Sequence, residues 1–255
     1  AVVTGATAAE RRPTRVMAAA DQWAVVTGAN RGIGLELTRQ LAAKGFKVIG
    51  GCRSKSDGLA ELAAAGGVTI VEGADVSTAE GVEALRAGTA AAIGDAKLAL
   101  VVNNAGILNV EKLEDLTSEE AIASMERQLT INAVAPMRVA AALLPMVASP
   151  GGKLAFITSR MGSIADNGSG GMYGYRMSKA ALNAGCVSLA KDLAKTAGIP
   201  VAILHPGMVT TDMTAAFGGG IEPSESVSGL IARIEGLTME NSGTFWHQNG
   251  EVLPW

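Results

Sequence analysis

The chain has 255 residues, 48% of them apolar, with 21 Lys plus Arg against 24 Asp plus Glu and a formal charge of −3. A chain of this length buries a sizeable core in a single domain. It has no long basic run and only 4% aromatic residues, so it lacks the charge and the stacking platforms that nucleic acid or an anionic membrane surface requires.

In chain order, residues 1–22 stand apart. They are rich in Ala and Thr, carry Arg11, Arg12 and Arg15, and hold Glu10 as the sole acid before Asp21. That composition suits the remnant of an organellar transit peptide, with Val16-Met17-Ala18-Ala19 as a processing site; the plainer alternative is a disordered tail. The expected location is the cytoplasm, or the chloroplast stroma if residues 1–22 are such a remnant. Ala1-Val2-Val3-Thr4-Gly5-Ala6 repeats Ala24-Val25-Val26-Thr27-Gly28-Ala29 but lacks the glycines that follow the second copy.

From Trp23 onward, short apolar runs alternate with helical patterns. The predicted strands are 23–27, 46–51, 68–72, 98–102, 153–158, 200–204 and 243–247. The predicted helices are 33–44, 57–65, 78–92, 118–147, 173–196 and 225–236. Strands alternating with helices imply right-handed crossovers and a parallel sheet covered on both faces. Residues 23–255 are therefore expected to form one α/β doubly wound Rossmann-like domain with a parallel sheet of about seven strands. The most apolar stretch, Ala133 to Ala148, contains Pro136, Arg138 and Pro145, so no membrane span is predicted. The two cysteines, Cys52 and Cys186, have neither metal-site nor redox-pair spacing.

After the first strand comes Thr27-Gly28-Ala29-Asn30-Arg31-Gly32-Ile33-Gly34, which opens a helix. Gly28 permits the tight turn, Gly32 lets backbone approach a pyrophosphate, and Gly34 allows helix and strand to pack closely. The helix N-terminus adds N–H donors and partial positive charge for phosphate. At the end of the second strand an NAD site places an acid to hold the ribose 2′-hydroxyl; this chain has Arg53. Arg53, helped by Arg31, suits the 2′-phosphate of NADP(H) instead. Asp75, with Val76 beside it after the third strand, is positioned to accept from an adenine amino group, or alternatively to cap a helix. Asn103-Asn104-Ala105-Gly106 follows the fourth strand, where small residues let backbone pass close to a cofactor.

Tyr175 and Lys179 stand four residues apart on a predicted helix, hence on one face. An ammonium beside a phenol favours the ionised form and is expected to lower its pKa. Such a tyrosine can exchange a proton with an alcohol or carbonyl oxygen.

Together these pieces resemble the short-chain dehydrogenase/reductase family. The matching residues are Thr27-Gly28-x-x-x-Gly32-x-Gly34, Asn103-Asn104-Ala105-Gly106, Asn132, Ser159, Tyr175-x-x-x-Lys179 and Pro206-Gly207, in family order. The Tyr173-Gly174-Tyr175-Arg176 context and the ending Gly250-Glu251-Val252-Leu253-Pro254-Trp255 resemble the C-factor or sniffer-like carbonyl reductase branch. The resemblance implies that Tyr175 is the general acid in reduction, that Lys179 tunes it and holds the cofactor ribose, and that Ser159 binds the substrate oxygen. It further implies that Asn132 anchors a relay water and that Pro206, Gly207, Val209 and Thr211 flank the carboxamide end of the cofactor. The gap from Ser159 to Tyr175 is about three residues longer than the usual family spacing, with the excess in Ala165 to Gly170. Ser163 and Tyr173 are rivals to Ser159 and Tyr175. Met161, Met172, Met208 and Met213 suit an adaptable apolar pocket, and Phe217-Gly218-Gly219-Gly220 suits a lid.

The expected function is NADPH-dependent reduction of a small-molecule carbonyl substrate to an alcohol. Alternatives are a biosynthetic oxidoreductase with one dedicated substrate and a non-catalytic dinucleotide sensor. Helices 118–147 and 173–196 are alanine-rich, and the family resemblance implies a homodimer or homotetramer across them.

Overall fold

The structure, a computed structural model, describes residues 22–255. Apart from Gln22, the tail and targeting expectations for residues 1–22 lie outside the described residues. Seven parallel strands form one sheet: β1 (Trp23–Thr27), β2 (Lys47–Gly51), β3 (Val68–Val71), β4 (Leu98–Asn103), β5 (Lys153–Ile157), β6 (Val201–His205) and β7 (Phe245–His247). Their order is β3-β2-β1-β4-β5-β6-β7, so the direction of winding reverses between β1 and β4. In such a sheet the strand C-termini open a crevice at that reversal point.

Helices cover both faces. On one side are α1 (Gly32–Ala43), α2 (Asp57–Ala64) and α7 (Pro223–Glu235); on the other are α3 (Ala79–Ile93), α4 (Glu119–Leu129), α5 (Ala135–Leu143) and α6 (Tyr173–Thr196). The strands are apolar on both faces because both are buried. Within β1, Val25 packs with Leu85, Val139 and Leu182, while Ala24 and Val26 pack with Leu37, Leu59 and Ile231. Local chemistry sets the helix starts. The side chains of Ser56, Thr78 and Ser118 accept from the N–H groups of Leu59, Gly81 and Ala121, and Pro223 opens α7.

The single helix predicted over 118–147 is a correction. α4 ends at Leu129, a π turn occupies Thr130–Val134, α5 runs to Leu143, and a 3₁₀ turn follows at Leu144–Met146. The cause is Pro136, which has no N–H to give the Asn132 carbonyl four residues back. The Ala135 N–H reaches one residue further than usual, to Thr130 O. Among the described residues the 28-residue stretch Glu119–Met146 is long and apolar enough, by length and composition, to cross a membrane. Here it forms a layer of the fold: it buries Gln128 and Asn132 and packs Val139, Ala140 and Leu143 into the core.

Candidate active site

The C-terminal ends of β1, β2 and β4–β6, with the loops that follow them, enclose a cleft of about 520 Å³. Beside the start of α1, Gly28 and Gly32 take positive φ, 66° and 52°. A Cβ on Gly34 would stand 2.0 Å from Gly28 O and 2.5 Å from Asn104 Nδ2, so only glycine fits there. Helix α1 starts with no side-chain cap and no acid in its first turn. Its free N–H groups therefore face the cleft uncontested, as an anion site requires.

Asn104 ties β1 to β4. Its Nδ2 donates to Thr27 O at 2.9 Å, and its main-chain N–H donates to Thr27 Oγ1 at 3.0 Å. At the other end Arg53 lines the cleft with no carboxylate within ion-pair range among the described residues. Arg31 also lines it but leans toward Asp212 at 3.7 Å; both side chains are exposed, which makes this pair weak. Asp75 is not the cap of α3, which is Thr78. Its carboxylate accepts from the N–H and hydroxyl of Ser77 at 2.9 and 2.6 Å, and these bonds hold its pKa below the usual carboxylate range.

Elsewhere along the cleft the first turns of α6 bring in Tyr175 and Lys179, where Ser159 joins them from the end of β5. All three are buried. Lys179 Nζ donates to Ile157 O at 3.0 Å and stands 5.7 Å from the centre of the Tyr175 ring. Burial lowers the Lys179 ammonium to about 8. It also pushes the Tyr175 phenol up to about 12, against a smaller opposing pull from its hydrogen bond with Ser159. The expected lowering of the Tyr175 phenol is thus not what burial produces: desolvation of a phenolate outweighs the pull of the Ser159 hydrogen bond.

The rivals separate cleanly. Ser163 accepts from the Asp166 N–H at 3.1 Å in a turn and does not line the cleft, nor does Tyr173. Asn132 lies behind the cleft wall on the π turn. Its Oδ1 accepts from Ile107 N at 2.8 Å, and its Nδ2 donates to Ile107 O and Ser178 Oγ at 2.8 and 3.0 Å. Gly28, Asn30, Arg31, Gly32, Ile33, Gly34, Arg53, Asp75, Val76, Asn104, Ala105, Gly106, Pro206, Gly207, Val209 and Thr211 all line the cleft, as do Met161, Met172, Met208, Met213 and Phe217.

Two arginines, Arg160 and Arg176, also line the cleft. Arg160 is held between Asp166 at 3.0 Å and Glu251 at 2.8 Å. Arg176 donates to Ser169 Oγ at 2.8 Å and to the carbonyls of Gly170 and Gly171, which hangs the longer 165–171 loop over the site. The Glu251 partner is 91 positions away in the chain, so only folding brings it to Arg160. His205 also lines the cleft, and burial beside His247 lowers it to about 3, which leaves it neutral and without a proton to give near pH 7.

Comparison with known proteins agrees with this geometry. A curated relative from Rhodococcus sp., 1-hydroxy-2-glutathionyl-2-methyl-3-butene dehydrogenase, is 42% identical over 236 residues, 91% of this chain and 98% of the relative. The crystal structure of NADPH-bound carbonyl reductase from chicken fatty liver superposes with a TM-score of 0.83 at 31% identity, over 92% of this chain and 99% of that one. The carbonyl reductase Sniffer of D. melanogaster superposes at 0.82 with 29% identity, again over 92% and 99%. Residues 22–220 match the short chain dehydrogenase family. With its glycine turn, its reversal-point cleft and its paired Tyr175 and Lys179, the chain belongs to the short-chain dehydrogenase family.

Proposed function

We propose that this chain reduces a carbonyl compound to an alcohol with NADPH, with Tyr175 as the general acid. The observation that carries the reading is the burial of Tyr175, Lys179 and Ser159 together at one end of the cleft, with the uncapped α1 N-terminus in the same cleft. A bound nicotinamide supplies the hydride. The Tyr175 phenol, raised to about 12, keeps its proton through the physiological range and so holds the form that an acid needs. Ser159 Oγ accepts from the Met161 N–H at 3.2 Å, which fixes the hydroxyl so that its proton can meet the substrate oxygen.

Lys179, partly charged near pH 7–8, holds the ribose hydroxyls and restores the proton lost by Tyr175. Asn132 spends its side-chain amide on Ile107 and Ser178. A relay water anchored there is therefore held by its main-chain carbonyl, which Pro136 deprives of its ordinary donor. Arg53 holds the 2′-phosphate, in keeping with the NADPH bound by the chicken carbonyl reductase. The methionines that line the cleft with Phe217 favour an apolar substrate body.

The test is steady-state reduction of an apolar o-quinone such as phenanthrenequinone with NADPH. Tyr175→Phe should lower kcat by roughly 10²- to 10⁴-fold and leave cofactor affinity unchanged. Near-normal turnover in that variant would sink the reading. A second reading, oxidation of a dedicated alcohol, is favoured by the Rhodococcus relative, a 1-hydroxy-2-glutathionyl-2-methyl-3-butene dehydrogenase. Comparing kcat/KM for quinone reduction with that for oxidation of a glutathionyl alcohol by NADP⁺ decides between them.

A further inference from the structure

Glu111 is a buried carboxylate that the proposed chemistry does not use. It is 3% exposed. Its Oε1 accepts from Ser124 Oγ and Gln128 Nε2, both at 2.7 Å and both from α4; its Oε2 accepts from the Gly174 N–H, at 3.1 Å, on α6. No cation lies within ion-pair range of it among the described residues. A buried carboxyl group is costly to desolvate unless its oxygens find donors.

What the carboxyl group does is visible at the start of α6. Residue Met172 precedes that helix in the left-handed region, φ 51°, with no side-chain cap to offer. The early N–H groups of α6 would then be orphaned. The Glu111 carboxylate, 63 positions upstream, takes the one from Gly174, where the helix dipole also favours negative charge. Tyr175 is the next residue. A Cβ at Gly174 would fall 2.5 Å from Gln128 Nε2 and 2.9 Å from Met125 Cα, so α4 and α6 are clamped at this turn. Gln128 itself is fully buried and accepts from the Asn109 N–H at 3.0 Å. The same network thereby fixes the loop whose Ile107 and Leu108 line the cleft.

We infer that Glu111 is a positioning residue, a long-range cap that sets the first turn of α6 and through it the place of Tyr175 against the cleft wall at Ile107 and Leu108. The inference rests on the reading of Tyr175 as the acid. A displacement of the proton donor by a fraction of an ångström is enough to slow the chemical step while leaving the cofactor end untouched.

The test compares wild type, Glu111→Gln, Ser124→Ala and the exchanged pair Glu111→Gln/Gln128→Glu, with Tyr175→Phe as the control for the underlying reading. In Glu111→Gln one side of the amide must face a donor, so one contact is lost. Amide exchange across residues 173–176 should rise about 10-fold, and kcat for phenanthrenequinone should fall about 10-fold, with the Kd for NADPH unchanged. Ser124→Ala removes one donor to Glu111 and the acceptor of Asn109 Nδ2 but leaves the Gly174 contact in place, and should show a smaller fall of about 2- to 3-fold in kcat. In the exchanged pair the amide now at position 111 donates to the carboxylate now at position 128 and still accepts from the Gly174 N–H, so most of kcat should return. Faster exchange or a lower Tm with unchanged kcat would leave Glu111 a purely structural residue and overturn the inference, and so would failure of the exchanged pair to recover. An unaffected Tyr175→Phe would instead overturn the assignment of the acid.

Discussion

Replacing Lys179 by Met separates what the site costs the fold from what it does. In the folded chain burial moves the ammonium from 10.5 to about 8, which corresponds to roughly 3 kcal/mol at ~1.4 kcal/mol for each tenfold change. Methionine removes that cost and fills similar apolar space, but it leaves the Ile157 carbonyl without its donor at 3.0 Å, a loss of about 1–3 kcal/mol. The variant should therefore be about 1–2 kcal/mol more stable than wild type at pH 7. The sign of the pH dependence follows from the lowered pKa. Between about pH 8 and 10.5 the unfolded chain binds more protons than the folded one, so wild-type stability rises with pH across that window. The advantage of Lys179→Met should shrink by about 2–3 kcal/mol between pH 7 and pH 10 and end near zero or reversed. Urea unfolding at the two pH values, with m held constant, measures both numbers. A variant that is destabilised equally at pH 7 and pH 10 would refute the argument that Lys179 is held at the expense of stability. On the proposed role of Lys179, reductase kcat/KM should meanwhile fall at least 10²-fold.

Two further outcomes follow from the cofactor end. Arg53→Asp should reverse much of an NADPH preference of roughly 10- to 10³-fold, since a charge-assisted bond worth about 1.5–3 kcal/mol becomes a repulsion; kcat/KM with both cofactors checks this, and an unchanged ratio makes Arg53 a solvated surface residue. Gly34→Ala should cost about 3 kcal/mol or more, because its Cβ would lie 2.0 Å from Gly28 O, whereas Gly236→Ala, with φ −76° and its nearest neighbour at 3.5 Å, should be neutral or slightly stabilising by Tm.

Much of this molecule was legible before folding, wherever the signal is local. The seven strands are short apolar runs, α2, α3 and α4 follow Ser56, Thr78 and Ser118, α7 opens on a proline, and the glycine turn and the Tyr175–Lys179 pair are each set by spacing within a few residues. Such features depend on backbone geometry within a few residues, so a sequence displays them directly. What failed was the break at 130–134. Its cause, Pro136, was in plain sight, but the helical pattern continues on both sides of it. Electrostatics also escaped. The spacing of Tyr175 and Lys179 predicted a lowered phenol, and only the tertiary structure shows that desolvation wins, because burial is set by every element packed around the site. One partner each of Arg160 and Glu111, Glu251 and the Gly174 N–H, lies 91 and 63 positions away. No local pattern encodes such pairings; they exist because the sheet order sets β6 between β5 and β7, and because α4 packs against α6.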